Sequence, residues 1–154
     1  MPRPVRLAVV VPCYRVTRHV LAVLAGIGPE VSRIFAVDDC CPEGSGDFIE
    51  RNVTDPRVRV LRHERNKGVG GAVVTGYRAA IEEGLDIVVK VDGDGQMDPA
   101  LIPRFAAPVA AGEADYAKGN RFFSVTAVRG MPRVRLFGNA VLSFLTKLSS
   151  GYWS

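Results

Sequence analysis

Three features of the sequence predict an α/β fold: a mostly parallel sheet with helices on both faces. Short apolar runs alternate with segments of helical periodicity. Two of those runs are apolar almost without interruption, as strands buried on both faces are. Residues of unusual chemistry recur just after the runs, where open parallel sheets bind ligands.

The first strand is read over 6–11, RLAVVV, and delivers Pro12, Cys13, Tyr14 and Arg15. Thr17 then caps a helix through Ala25. IFAVD at 34–38 is the second strand, ending in Asp38-Asp39, and VRVL at 58–61 the third, leading to Asn66-Lys67-Gly68. Next, Ala72, Val73, Gly76, Tyr77, Ala80 and Ile81 form a stripe of period 3.6 that Gly84 closes. DIVVKVD at 86–92 is the fourth strand, running into Asp92-Gly93-Asp94-Gly95-Gln96. Asp98-Pro99 opens a helix carrying Leu101, Ile102 and Phe105, which Pro108 breaks or kinks. ADYAKG at 114–119 reads as a fifth strand, delivering Lys118 to Arg121, so five strand ends converge on one rim.

With 154 residues and a net charge of +4, the chain is long enough for one real core and only mildly basic. Basic residues gather late, at Arg121, Arg129, Arg133, Arg135 and Lys147, which suits an anionic ligand or membrane surface. Cys13, Cys40 and Cys41 are odd in number and lack metal-site spacing, so reduced thiols in a cytosolic protein are expected. No run is long enough for a membrane span, and Pro12 ends the apolar run at 5–12 too early for a signal peptide. A domain is expected over 1–123. Beyond it, 124–154 reads as a basic loop and an amphipathic helix, whose Leu136, Phe137, Ala140, Val141, Phe144, Leu145 and Leu148 form one apolar stripe within 132–148, with the closing SSGYWS expected to be a truncation.

Asp92 and Asp94 stand two apart, which on a regular strand places both on one side. Like charges held close repel unless a cation lies between them, and carboxylate and amide oxygens suit a hard divalent ion. An EF-hand is excluded, because its sixth and twelfth positions fall on Met97 and Pro103. A haloacid-dehalogenase-like phosphotransferase also uses an Asp-x-Asp loop, but after its first strand; it stays as an alternative. NKGVGGAVVTG at 66–76 lacks the Gly-Lys-Ser/Thr ending of a phosphate loop, and Val73 replaces the third glycine of a dinucleotide fingerprint. A tight turn and close packing at Gly76 explain its glycines as well as ligand contact does.

VVVPCYR (9–15), VDDCCPEGSGD (37–47), RNKGVGGAVVTGYRAA (65–80), VDGDGQMDP (91–99) and KGNRF (118–122) occur in the order seen in family 2 glycosyltransferases. The chain resembles that family, of GT-A fold, in the branch of dolichol-phosphate mannose synthases and bacterial polyprenyl-phosphate glycosyltransferases. The resemblance implies transfer of a sugar, with inversion, from a UDP- or GDP-linked donor to a polyprenyl or dolichyl phosphate. It implies that Pro12 and Tyr14 line the nucleotide pocket, Asp39 bonds the base, and Asp92 with Gly93 meets the nucleoside side. Asp94 and Gln96 would hold Mg²⁺ or Mn²⁺ under the diphosphate, with Asp94 and Arg121 serving catalysis and Arg121 facing a phosphate. Arg15 and Val16 replace the family's usual Asn-Glu, and Cys41 a common Ser, so the base contacts stay open. The alternative within the resemblance is a nucleotide-sugar-binding module without turnover. The implied location is the cytoplasmic face of a membrane, held peripherally at an anionic surface, with no nucleic-acid partner.

Overall fold

The computed structural model describes residues 4–119. Met1–Ala117 forms one compact unit and Lys118–Ser154 a second. Arg121, the basic loop from 124 and the apolar stripe of 132–148 lie outside the described residues.

Four strands form one sheet in the order β3-β2-β1-β4, where β1 is Leu7–Cys13, β2 Val31–Asp38, β3 Val58–Arg62 and β4 Ile87–Lys90. Every pairing is parallel: Val9 lies opposite both Ile34 of β2 and Val89 of β4, and Ile34 opposite Val58 of β3. Central β1 is buried on both sides, which is why its apolar run is continuous. Helices α1 (Val20–Gly26), α2 (Ser45–Asn52) and α4 (Ile102–Ala110) cover the face carrying Val9, Val11, Ile34 and Ala36. Helix α3 (Gly68–Glu82) covers the other, with Ala8, Val10, Phe35 and Val37. The α/β class, the parallel sheet and the two-sided helical cover are therefore as the sequence predicts.

Five local readings need correction. ADYAKG at 114–119 is not a strand. The amides of Glu113 and Ala114 both return to the Pro108 carbonyl, at 2.9 and 3.3 Å, and the segment lacks β-branched residues. Thr17 does not cap α1, because its hydroxyl donates to Glu43 Oε2 at 3.0 Å; the helix starts at Val20 after a turn closed on the Val16 carbonyl. Pro108 does not break α4, which runs through it to Ala110. The fourth strand ends at Lys90, so strand geometry does not place Asp92 and Asp94 on one side. The buried face of α3 is Ala72, Gly76, Ala79 and Ala80, while Tyr77 and Ile81 are exposed. A Cβ on Gly76 would lie 2.4 Å from Val10 Cγ1, so close approach selects the small-residue side of this helix. Gly84 does close α3, at φ +69°, with Leu85 N–H donating to the Ala80 carbonyl. Helix α2 had no counterpart in the sequence reading.

Candidate functional site

A cleft of about 420 Å³ opens at the carboxyl edge of the sheet. Beyond β1 it is lined by Pro12, Cys13, Tyr14 and Val16, and beyond β2 by Asp39. Asn66, Gly68, Val69 and Ala72 line it from the β3–α3 connection, and Asp92, Gly93 and Asp94 from the loop after β4. Six residues predicted from sequence thus share one cleft: Pro12, Tyr14, Asp39, Asp92, Gly93 and Asp94. Gln96 is exposed and not among the lining residues; its backbone N–H donates to Asp94 Oδ1 at 3.0 Å.

Adjacent Asp38 and Asp39 have separate tasks. Asp38 accepts from Cys41 N–H at 2.8 Å and Gly46 N–H at 2.7 Å, fixing the start of α2. Asp39 is buried, and its Oδ1 lies 2.7 Å from His63 Nδ1 and 2.8 Å from the donating Lys67 N–H. Burial pushes the Asp39 carboxyl upward, but the hydrogen bonds from His63 and from the backbone N–H groups of Lys67 and Gly68 outweigh it and hold it below the ordinary value. His63 carried no signal in the sequence, since its partners Asp39 and Thr75 are distant along the chain.

Asp92 is half-buried and paired through Oδ1 with Lys90 Nζ at 2.5 Å, while Asp94 is exposed. Between them, a Cβ on Gly93 would lie 3.2 Å from the Pro12 carbonyl oxygen and 3.3 Å from Val11 and Val16. Only glycine lets this loop lie against the β1 exit without displacing it. Gly95 turns the loop at φ +77°. Among the described residues no three His, Cys, Asp or Glu side chains group as a metal cage.

Cys13 is buried in the cleft wall and its thiol is pushed up to about 12, chiefly by burial, so it stays protonated. Arg15 and Cys41 touch: the Arg15 N–H donates to Cys41 Sγ at 3.1 Å, as does the Ser45 hydroxyl. Arg15 holds φ 57°, with its guanidinium carbon 5.5 Å from the Tyr14 ring centroid.

An open parallel sheet with a cleft across its strand ends, bounded by an Asp-x-Asp loop, defines an α/β domain of the kind that binds ligands at the carboxyl ends of its strands. The model of Glycosyl transferase family 2 matches residues 8–153, and the chain belongs to that family. It is 40% identical over 97 residues to the UDP-N-acetylglucosamine--dolichyl-phosphate N-acetylglucosaminyltransferase of Methanococcus voltae, covering 63% of this chain and 39% of that protein. To the undecaprenyl-phosphate mannosyltransferase of Micrococcus luteus it is 34% identical over 119 residues, covering 75% and 48%. The chain thus spans less than half the length of these relatives. The crystal structure of S. aureus TarS 1-349 in complex with UDP shares the fold, at a TM-score of 0.58 and 22% identity over 71% of this chain and 33% of that one. The fold is GT-A.

Proposed function

We propose that this chain is the donor-binding part of an inverting glycosyltransferase that moves a sugar from a nucleotide to a polyprenyl or dolichyl phosphate. The observation carrying this reading is the convergence of Pro12, Tyr14, Asp39 and the Asp92–Asp94 loop on one cleft in a family 2 domain. Pro12 and Tyr14 wall the nucleotide. Asp39 accepts from the ring N–H that uracil and guanine offer and adenine lacks, which favours UDP- or GDP-linked donors. A relative named for a UDP-sugar and a similar fold solved with UDP support the first of these. Asp92 and Gly93 take the nucleoside side.

Asp94 and the Gln96 amide would hold Mg²⁺ or Mn²⁺. The donor set fits: hard oxygens, few in number, with Asp94 exposed at the loop tip. Magnesium in particular takes one or two carboxylates and completes its shell with substrate phosphates and water. A cation held by Asp94 and Gln96 would supply positive charge to offset that developing on the departing nucleoside diphosphate. An acceptor phosphate oxygen bonds the anomeric carbon from the opposite face as the bond to the donor phosphate breaks. That oxygen is already anionic, so no strong general base is needed. By its place in KGNRF, Arg121 is assigned the binding of donor or acceptor phosphate. The basic residues after 124 and the stripe of 132–148 suit peripheral attachment to an anionic membrane surface, at the cytoplasmic face. Among the described residues no helix is long and apolar enough to cross a membrane.

The test is calorimetric titration of UDP and GDP with and without Mn²⁺, into the parent and Asp94→Asn. Asparagine keeps an oxygen to accept the Gln96 N–H and removes only the charge. Mn²⁺-dependent binding should weaken by at least about tenfold with the circular dichroism unchanged. A variant that keeps the parent's Mn²⁺ dependence refutes the assignment.

A further inference from the structure

We propose that His63 and Thr75 are positioning residues that fix the base-reading carboxylate of Asp39, an inference resting on the assignment of Asp39 to the base. Neither residue lines the cleft. His63 follows β3 directly and its backbone N–H donates to the Asp38 carbonyl at 2.9 Å. Its side chain is 3% exposed, with Nδ1 2.7 Å from Asp39 Oδ1 and Nε2 2.8 Å from Thr75 Oγ1.

The direction of each bond follows from the groups themselves. An ionised carboxylate only accepts, so Nδ1 carries the hydrogen. The proposed relay takes the ring as neutral, with Nε2 the acceptor and the Thr75 hydroxyl donating to it. The relay therefore runs from Thr75 through His63 to Asp39. Lys67 N–H grips the same oxygen from a second direction, so the carboxylate is oriented before any ligand arrives.

Stability alone is a poor reason for such a relay. Burying a carboxylate and an imidazole costs desolvation that their attraction only partly returns, and the β2–β3 ladder already joins these strands. The acid at the end of the relay is the one that lines the cleft. Thr75 also ties the relay to α3, whose Gly68 and Val69 line the same cleft.

The experiment measures dissociation constants of UDP, GDP and ADP with the whole 154-residue chain by calorimetry. The readout is the preference for the better of UDP and GDP over ADP. Thr75→Val removes the hydroxyl and keeps the shape, and should lower that preference by at least about tenfold. Thr75→Ser restores the hydroxyl and should restore the preference. A Thr75→Val protein that keeps the parent's preference, or weakens for all three nucleotides equally, overturns the positioning role. Asp39→Ala separates the two claims: if it retains the parent's preference, or if the parent has none, the base-reading assignment itself fails. Nitrogen-15 shifts of the His63 ring in the parent need no variant to fold. They should report hydrogen on Nδ1 and none on Nε2, and hydrogen on Nε2, in either the opposite tautomer or the doubly protonated ring, overturns the relay.

Discussion

Two alanine substitutions in one helix should move stability in opposite directions. Gly70 and Gly76 both lie in α3. On helix propensity alone, either change to alanine gains up to about 1 kcal/mol. At Gly70 a Cβ would find no atom within 4 Å, so Gly70→Ala should realise that gain. At Gly76 the new Cβ would stand 2.4 Å from Val10 Cγ1, 2.7 Å from Cγ2 and 3.1 Å from Cβ. Val10 is fully buried in the central strand, and its Cβ moves only with the backbone. Relief therefore requires α3 to back away from the sheet, at an overpacking cost of about 3 kcal/mol. Subtracting the propensity gain leaves a net loss of about 2 kcal/mol for Gly76→Ala. For a domain of this size that lowers Tm by about 4–8 °C, against a rise of about 2–4 °C for Gly70→Ala. Thermal unfolding followed by circular dichroism on the whole chain reads both. Adding Val10→Ala to Gly76→Ala should cost less than the sum of the single changes, since the second removes the atoms that clash. A Gly76→Ala protein as stable as its parent, or additive with Val10→Ala, refutes the close-approach account of this glycine.

Two further outcomes follow from the cleft and the late basic segment. The native bonds hold the Asp39 carboxyl below its ordinary 3.8, so its contribution is complete above that value and lost as pH falls through the lower native one. The Tm advantage of the parent over Asp39→Asn should shrink as pH falls below about pH 4, and an advantage that does not change between about pH 4 and about pH 2 contradicts the assigned bonds. For the membrane proposal, the chain should co-sediment with anionic but not neutral vesicles at low salt, and Phe137→Ser/Phe144→Ser should abolish this. No binding of the intact chain to anionic vesicles at low salt removes the proposal.

The parts of the fold legible in the sequence are those whose cause is local. Strands β1 and β2 announce themselves because burial on both faces demands near-continuous apolar runs, while β4 carries such a run though it is only partly buried. Asp98 reads as a cap because the group it satisfies, Ala100 N–H at 3.0 Å, is two residues away. Helix α2 was not legible for the converse reason: Gly44 in the left-handed region precedes it, and the acceptor for its Gly46 N–H is Asp38, eight residues back. The segment at 114–119 misled because a short polar-apolar alternation looks the same whether or not a neighbouring strand offers a ladder. In the site, the strand-end rule placed six of the predicted residues correctly in one cleft, because topology alone decides where strands end. It could not place Gln96 or find His63, since which way a loop side chain turns depends on contacts made after folding.

Asp38 and Asp39 show how far a local rule reaches when it is combined with the fold. Side chains alternate along a strand, so neighbours at its end leave toward opposite faces. Ile34 and Ala36 face the core under α1, α2 and α4, and Asp38 continues their side to meet the amides at the start of α2. Phe35 and Val37 face α3, and Asp39 continues theirs, which brings it to His63, Lys67 and the cleft. The pair reads in sequence as a doubled acid. Its division into a structural carboxylate and a cleft carboxylate follows once it is known which helices cover which face. The same parity sets where their pairing ends: Asp38 lies opposite Arg62 in the ladder, and His63, one residue further on, falls on the Asp39 side. An imidazole reaches Asp39 because the ladder runs in step from Ile34–Val58 to Asp38–Arg62 and leaves His63 next in line beside Asp39, so a shift of register by one residue would separate the acid from its partner.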